Sequence, residues 1–216
     1  MIKSLFALPF CALALAAAAP APTPSVGPSL AAPTEIAANL ANRLNLQLSN
    51  GGTIVVQLRP DVAPNNVYRI QQLASAGFYN GLAFHRVIPG FMAQGGDPLG
   101  TGAGGSKLPD LKAEFSSLPH LRGVMAMARS EADDSANSQF YIMLSAGMTL
   151  DRHYTVIGRV ISGMDVVDRI EVGEPPLNPT KIVRAWIDGP LPAPTPAAVT
   201  APTPGEPAPA EPAPAQ

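Results

Sequence analysis

Phe84-His85-Arg86-Val87-Ile88-Pro89-Gly90-Phe91-Met92-Ala93-Gln94-Gly95-Gly96-Asp97 is the stretch on which the reading of this chain turns. It holds the end of one strand candidate, Leu82–Ile88, and the whole of another, Phe91–Gln94, with Pro89-Gly90 between them. As bare residues, Phe91 and Met92 read as ordinary core and Arg86 as one half of a structural ion pair. Upstream, Leu44, Leu46 and Leu48 alternate with Asn45, Gln47 and Ser49, the pattern of a half-buried strand. Asn50-Gly51-Gly52 is a hairpin turn, and Thr53 to Arg59 is the returning strand. Asp61 opens a helical stretch, Ala63 to Ala76, with Val67, Ile70, Leu73 and Ala74 on one face and Gly77 as its stop. Downstream strands are expected at Gly123–Ala128, Gln139–Leu144, Tyr154–Val160 and Lys181–Ile187, with a second short helix over Met164–Ile170. Eight strands and two helices without regular βαβ alternation predict a mainly β fold, a closed eight-stranded antiparallel barrel capped by two α-helices. There is no 20–50-residue repeat.

The chain has 216 residues, 46% hydrophobic and 14% charged, with 14 Lys+Arg against 16 Asp+Glu. That balance, without any basic run, argues against electrostatic binding of nucleic acid. Of 25 prolines, ten lie between Pro190 and Pro214, five between Pro20 and Pro33, one at Pro9 and only nine between Pro60 and Pro179. A globular body, residues 35–189, therefore stands between two proline-rich stretches, and it is long enough for one hydrophobic core. Residues 20–34 and 190–216 are Ala/Pro/Thr-rich, with almost nothing to bury, and are expected to be an extended, disordered linker and tail. Residues 1–19 read as a signal peptide: Lys3 precedes an uncharged run of 15 residues, Leu5–Ala19, which is short for a membrane span of ~20 residues. The one cysteine, Cys11, lies inside that leader. The mature chain then has no thiol for catalysis, disulfides or thiolate metal sites, and export without disulfides suits a bacterial periplasm.

Residues Phe84–Asp97 resemble the core signature of the cyclophilin-type peptidyl-prolyl cis-trans isomerases over all 14 positions. Further blocks follow in the family's order: Gly100-Thr101-Gly102, Met127-Ala128-Arg129, Asn137-Ser138-Gln139-Phe140-Tyr141-Ile142, Leu150–Val160 and Gly163-Met164-Asp165-Val166-Val167. The likeness runs from about Leu44 to Ile187 and implies the family's eight-stranded barrel with two helices. It implies an enzyme that turns X-Pro bonds in unfolded or newly exported polypeptides; no cofactor or metal is expected, and a monomer is the default expectation. A catalytically weak peptide-binding module or holdase chaperone is the alternative. By the same resemblance Arg86 is the catalytic arginine, and Phe91, Met92, Tyr141 and Leu150 line the proline pocket. Gln94 fixes the substrate backbone, and Ala128, Arg129 and Gln139 line the groove for the residue before proline.

The sequence departs from the family pattern in three places. Thr149 stands where members that bind cyclosporin tightly have Trp, Tyr141 where Phe is frequent, and Tyr154 where His is frequent. An aromatic ring remains at both tyrosine positions, so turnover is expected to survive, while cyclosporin affinity is expected to be weak.

Other chemistries find little support. Gly100–Gly105 formally matches GxGxxG, but Leu108-Pro109 offers no helix start, and Ser106 precedes Lys107 where a phosphate-binding loop needs it to follow. His85, His120 and His153 lack metal-ligand spacing, and His85 is expected to be structural. The loop Ser130–Ala136, with Glu131, Asp133 and Asp134, reads as a solvated acidic loop.

Overall fold

The computed structural model describes residues 29–193. The expected leader 1–19, most of the 20–34 linker and most of the 190–216 tail lie outside them. In chain order the elements are α1 (Thr34–Ala38), β1 (Arg43–Leu48), β2 (Gly52–Leu58), α2 (Pro64–Ser75), β3 (Phe84–Ile88) and β4 (Met92–Gly95). There follow β5 (Val124–Met127), β6 (Phe140–Met143), β7 (Val156–Ser162), α3 (Met164–Asp168) and β8 (Ile182–Ile187). Every expected strand and both expected helices are present within two residues at each end. The five-residue α1 was not anticipated.

The eight strands form one antiparallel sheet in the order β3-β4-β6-β5-β7-β2-β1-β8. Its edge strands meet only through a bridge between Ala83 and Lys181. Around it Phe84 N–H donates to Thr180 O at 2.9 Å and Ile182 N–H to Leu82 O at 2.8 Å. The sheet is thus curled on itself, and no strand ladder closes the barrel that the sequence suggested. Its concave side holds Leu44, Leu46, Ile54, Val56, Leu58, Phe84, Met125, Phe140 and Ile142, all buried, with Val67 and Ile70 of α2 packed into them.

Two local expectations change. Asp61 does not cap α2: its carboxylate is paired with Arg59, at 2.8 Å. The helix starts at Pro64, and the free amides of Asn65 and Asn66 donate to the Glu114 carboxylate at 3.1 and 2.9 Å, a cap supplied from 48 residues downstream. Residues Ser29–Ala31, at the end of the expected linker, lie against the body. Their carbonyls accept from Arg59 Nη1 at 2.8 to 3.4 Å, and Leu30 packs against a cluster of buried side chains that includes Val124 and Val156. Arg59 is buried, and these bonds satisfy its donors.

Candidate active site

Successive residues of a strand face opposite sides, so β4, β5 and β6 serve two clusters at once. Ala93, Met125, Met127, Phe140 and Ile142 enter the main core, whereas Met92, Val124, Ala126, Tyr141 and Met143 form a second cluster on the convex side. That is why β5 and β6 are buried at every position despite their mixed facing.

Directly opposed residues of an antiparallel pair share a face. The registers Arg86↔Gln94, Gln94↔Tyr141 and Tyr141↔Ala126 therefore put four side chains in one row across β3, β4, β6 and β5. Arg86 reaches this row through a β-bulge. Phe84 opposes Gly95 and Arg86 opposes Gln94, so two steps on β3 face one step on β4, and His85 is the extra residue. Without the bulge Arg86 would share the inner face with Phe84. With it, Phe84 and Val87 are buried in the core and Arg86 points outward.

Above this row lies a cleft of about 300 Å³ lined by Arg86, Phe91, Met92, Gln94, Ala128, Arg129, Tyr141, Leu150 and Tyr154. Nine of the ten residues singled out from the sequence thus converge. The tenth, Gln139, lines an adjoining depression of about 510 Å³, which shares Gln94, Ala128 and Arg129 with the first. The apolar floor is continuous with the second cluster, against which Phe91, Leu150 and Tyr154 pack. Tyr141 meets Tyr154 edge to face at 5.8 Å and stacks on His120 at 6.2 Å.

Three side chains of the cleft are fixed by their neighbours. Arg129 lies over the Tyr154 ring at 4.7 Å, and its guanidinium donates to the carbonyls of His153, Ser130 and Glu131 and pairs with Asp133 at 2.9 Å. It braces the wall and has few donors left for a ligand. Gln94 donates to Gln139 at 2.9 Å, which leaves its own oxygen toward the cleft. Arg86 gives its Nε to Glu174 at 2.6 Å, and among the described residues its two Nη groups have no protein partner. Thr149 is exposed at the rim, in the 3-10 turn that carries Leu150.

The glycine loop has an occupant within the chain. Asp97 accepts from the amides of Leu99, Thr101 and Gly102 at 2.7, 2.8 and 2.6 Å. Burial alone would raise this carboxyl, but the amides outweigh it and hold Asp97 below the usual carboxylate range. Amides that would otherwise cradle a phosphate are directed at Asp97, and no helix follows the loop. Gly96 must be glycine: its φ is +87°, and a Cβ there would lie 2.5 Å from Ser138 O.

His85 is buried outside the cleft lining, with both ring nitrogens unpartnered. Burial lowers its pKa, with Asp97 pulling the other way, so it is neutral near pH 7. Among the described residues no three His, Cys, Asp or Glu side chains converge as metal ligands.

Sequence reading missed Glu174, which lies 88 positions from Arg86 without any local signal. It also missed the His120–Asp151 pair behind Tyr141, where Asp151 accepts from the His120 amide at 2.7 Å and faces its Nδ1 at 3.0 Å.

Comparison with known proteins agrees with this geometry. The family model for cyclophilin type peptidyl-prolyl cis-trans isomerases matches residues 43–187. A protein of Brucella suis biovar 1 named probable peptidyl-prolyl cis-trans isomerase is 47% identical over 174 residues, covering 73% of this chain and 88% of its own. The human peptidyl-prolyl cis-trans isomerase-like 1 is 37% identical over 147 residues, 64% of this chain and 88% of its own. Among solved structures, cyclophilin AquaCyp293 from Hirschia baltica superposes with a TM-score of 0.64 at 29% identity, over 69% of this chain and 74% of its own. A Cryptosporidium parvum cyclophilin type isomerase, crystallised in the presence of the dipeptide Ala-Pro, gives 0.63 at 26% identity over 68% and 99%. The signature strand, the curled eight-stranded sheet and these relatives lead to one conclusion: the chain belongs to the cyclophilin-type peptidyl-prolyl cis-trans isomerases.

Proposed function

We propose that this isomerase acts on X-Pro bonds of unfolded or newly exported polypeptides, as an exported periplasmic monomer, with Arg86 as the catalytic residue. The X-Pro bond resists rotation because nitrogen donates its lone pair to the carbonyl, a barrier of ~18–20 kcal/mol. Rotation needs no covalent step and no net proton transfer, only a site that binds the twisted amide better than either planar form. In the twisted state the nitrogen lone pair is free to accept a hydrogen bond, and the permanently charged guanidinium of Arg86 is the donor for it. The proline ring fits the apolar floor of Phe91, Met92, Tyr141 and Leu150, with Gln94 oxygen placed to accept from the substrate backbone. A charge-assisted hydrogen bond contributes ~1.5–3 kcal/mol, or ~10- to 100-fold in rate, so orientation in the cleft must supply the remainder.

The observation that carries this reading is the pair of Nη groups of Arg86, unbonded among the described residues, at a cleft of about 300 Å³ with an apolar floor. Cis-to-trans relaxation of an Ala-Pro test peptide by the full chain, beside Arg86→Ala, tests it. Acceleration lost mostly in the variant supports it; equal acceleration by both removes Arg86 from the mechanism, and none by the folded wild type makes the protein a binding module. Export rests on Lys3 and the apolar run Leu5–Ala19, and detection of the protein in the periplasmic fraction checks it.

A further inference from the structure

We infer that Glu174 is a positioning residue for Arg86: it holds Nε so that the two Nη groups face the cleft. The inference rests on the reading that Arg86 serves the twisted amide. Glu174 Oε2 stands 2.6 Å from Arg86 Nε. Its backbone is registered to the strand that carries Arg86, because Gly173 exchanges two hydrogen bonds with Val87, at 2.8 and 3.0 Å. A carboxylate bolted to the neighbour of Arg86 therefore meets the guanidinium at Nε and bonds neither terminal nitrogen.

The placement is hard to explain as stabilisation of the fold. Both side chains are about half exposed, 42% and 50%, and exposed ion pairs contribute little to stability. The two charges do matter to each other for orientation. An arginine anchored only at its backbone samples many rotamers, and only a few would aim the fork at a substrate nitrogen. One bond to Nε removes most of that freedom and leaves the Nη donors open, as the cleft requires. An arginine side chain is a permanent cation, so the carboxylate's part is to direct the charge.

The experiment compares full-length Glu174→Ala, Glu174→Gln, Arg86→Ala and the Glu174→Ala/Arg86→Ala double variant, with kcat and KM for an Ala-Pro peptide and a melting curve for each. Glu174→Ala is expected to lower kcat about 3- to 10-fold with KM nearly unchanged, the size of effect that loss of orientation produces. Glu174→Gln, whose amide oxygen still accepts from Nε, should recover most of that loss. In the Arg86→Ala background Glu174→Ala should change nothing further, and no variant should shift the melting temperature. Unchanged kcat in Glu174→Ala, beside a clear loss in Arg86→Ala, overturns the positioning role alone. An equal loss from Glu174→Ala in both backgrounds also overturns it, since the carboxylate would then act without Arg86. Full activity in Arg86→Ala removes the underlying reading, and the positioning role goes with it.

Discussion

Gln94 and Gln139 share one hydrogen bond, Nε2 to Oε1 at 2.9 Å, and its direction is set from outside the pair. Gln139 Nε2 donates to the carbonyls of Gly102 and Gly104, at 2.9 and 2.7 Å, so only its oxygen can face Gln94. Gln94 must then turn its own NH₂ to Gln139 and its oxygen to the cleft. A side chain in the larger depression thus dictates the polarity presented in the smaller one. Gln139→Glu would set a carboxylate against two carbonyls and remove both donors. The expected outcome is a fall in kcat/KM of about 10-fold, equivalent to ~1.4 kcal/mol, while Gln139→Asn in the same assay shows whether reach or donor chemistry matters.

Tyr141 carries a hydroxyl that is buried and unpartnered between His120 and Tyr154. Burial pushes the phenol well above its ordinary pKa, with Tyr154 adding to the effect, so it takes no part in proton transfer. Removing an unsatisfied buried hydroxyl is neutral or favourable. Tyr141→Phe should leave kcat/KM within about twofold and keep or raise stability by up to ~1 kcal/mol in a denaturant titration. A marked loss of activity would show that the hydroxyl meets the substrate.

Stability should fall as the medium is acidified below about pH 6.5. Burial lowers the pKa of both His85 and His120, against the raising influence of Asp97 on the first and Asp151 on the second. Folded-state values below the unfolded one mean that the unfolded chain binds protons that the native chain refuses. Their contribution is therefore fully present above the unfolded pKa and is lost on the acid side, by at most ~1.4 kcal/mol per pH unit for each histidine. Melting temperatures from pH 8 to pH 5 check this, with His120→Asn expected to flatten the slope. By contrast kcat/KM should stay level between about pH 6 and 8, because a guanidinium donor carries its charge throughout that range. An imidazole-like limb in the rate profile would bring His85 into the mechanism.

Thr149 lies exposed beside Leu150 at the rim of the cleft. An indole there would add contact area and an N–H donor that threonine lacks. Thr149→Trp should strengthen inhibition by cyclosporin about 10-fold or more, corresponding to ~1.4 kcal/mol, in the Ala-Pro peptide assay. Equal, tight inhibition of both forms would show that cyclosporin affinity is set elsewhere.

The sequence by itself determined the strands, the family and most of the cleft. Strand periodicity and turn residues are local properties, and the run Phe84–Asp97 carries Arg86, Phe91, Met92 and Gln94 within nine positions. The family resemblance likewise singled out Tyr141, which β6 sets on the face opposite Phe140 and Ile142. Tertiary structure decided what depends on contacts between distant segments. The bulge at His85 reverses which face Arg86 occupies, and it exists only in the pairing of β3 with β4. Glu114 caps α2 in place of Asp61, the Asp97 carboxylate gathers the amides of the glycine loop, and Glu174 grips Arg86 from a distant segment bridged to β3. A residue type states which bonds a side chain can make; only the folded chain states which partner arrives, because each partner competes with water and is fixed by backbone that other residues hold in place.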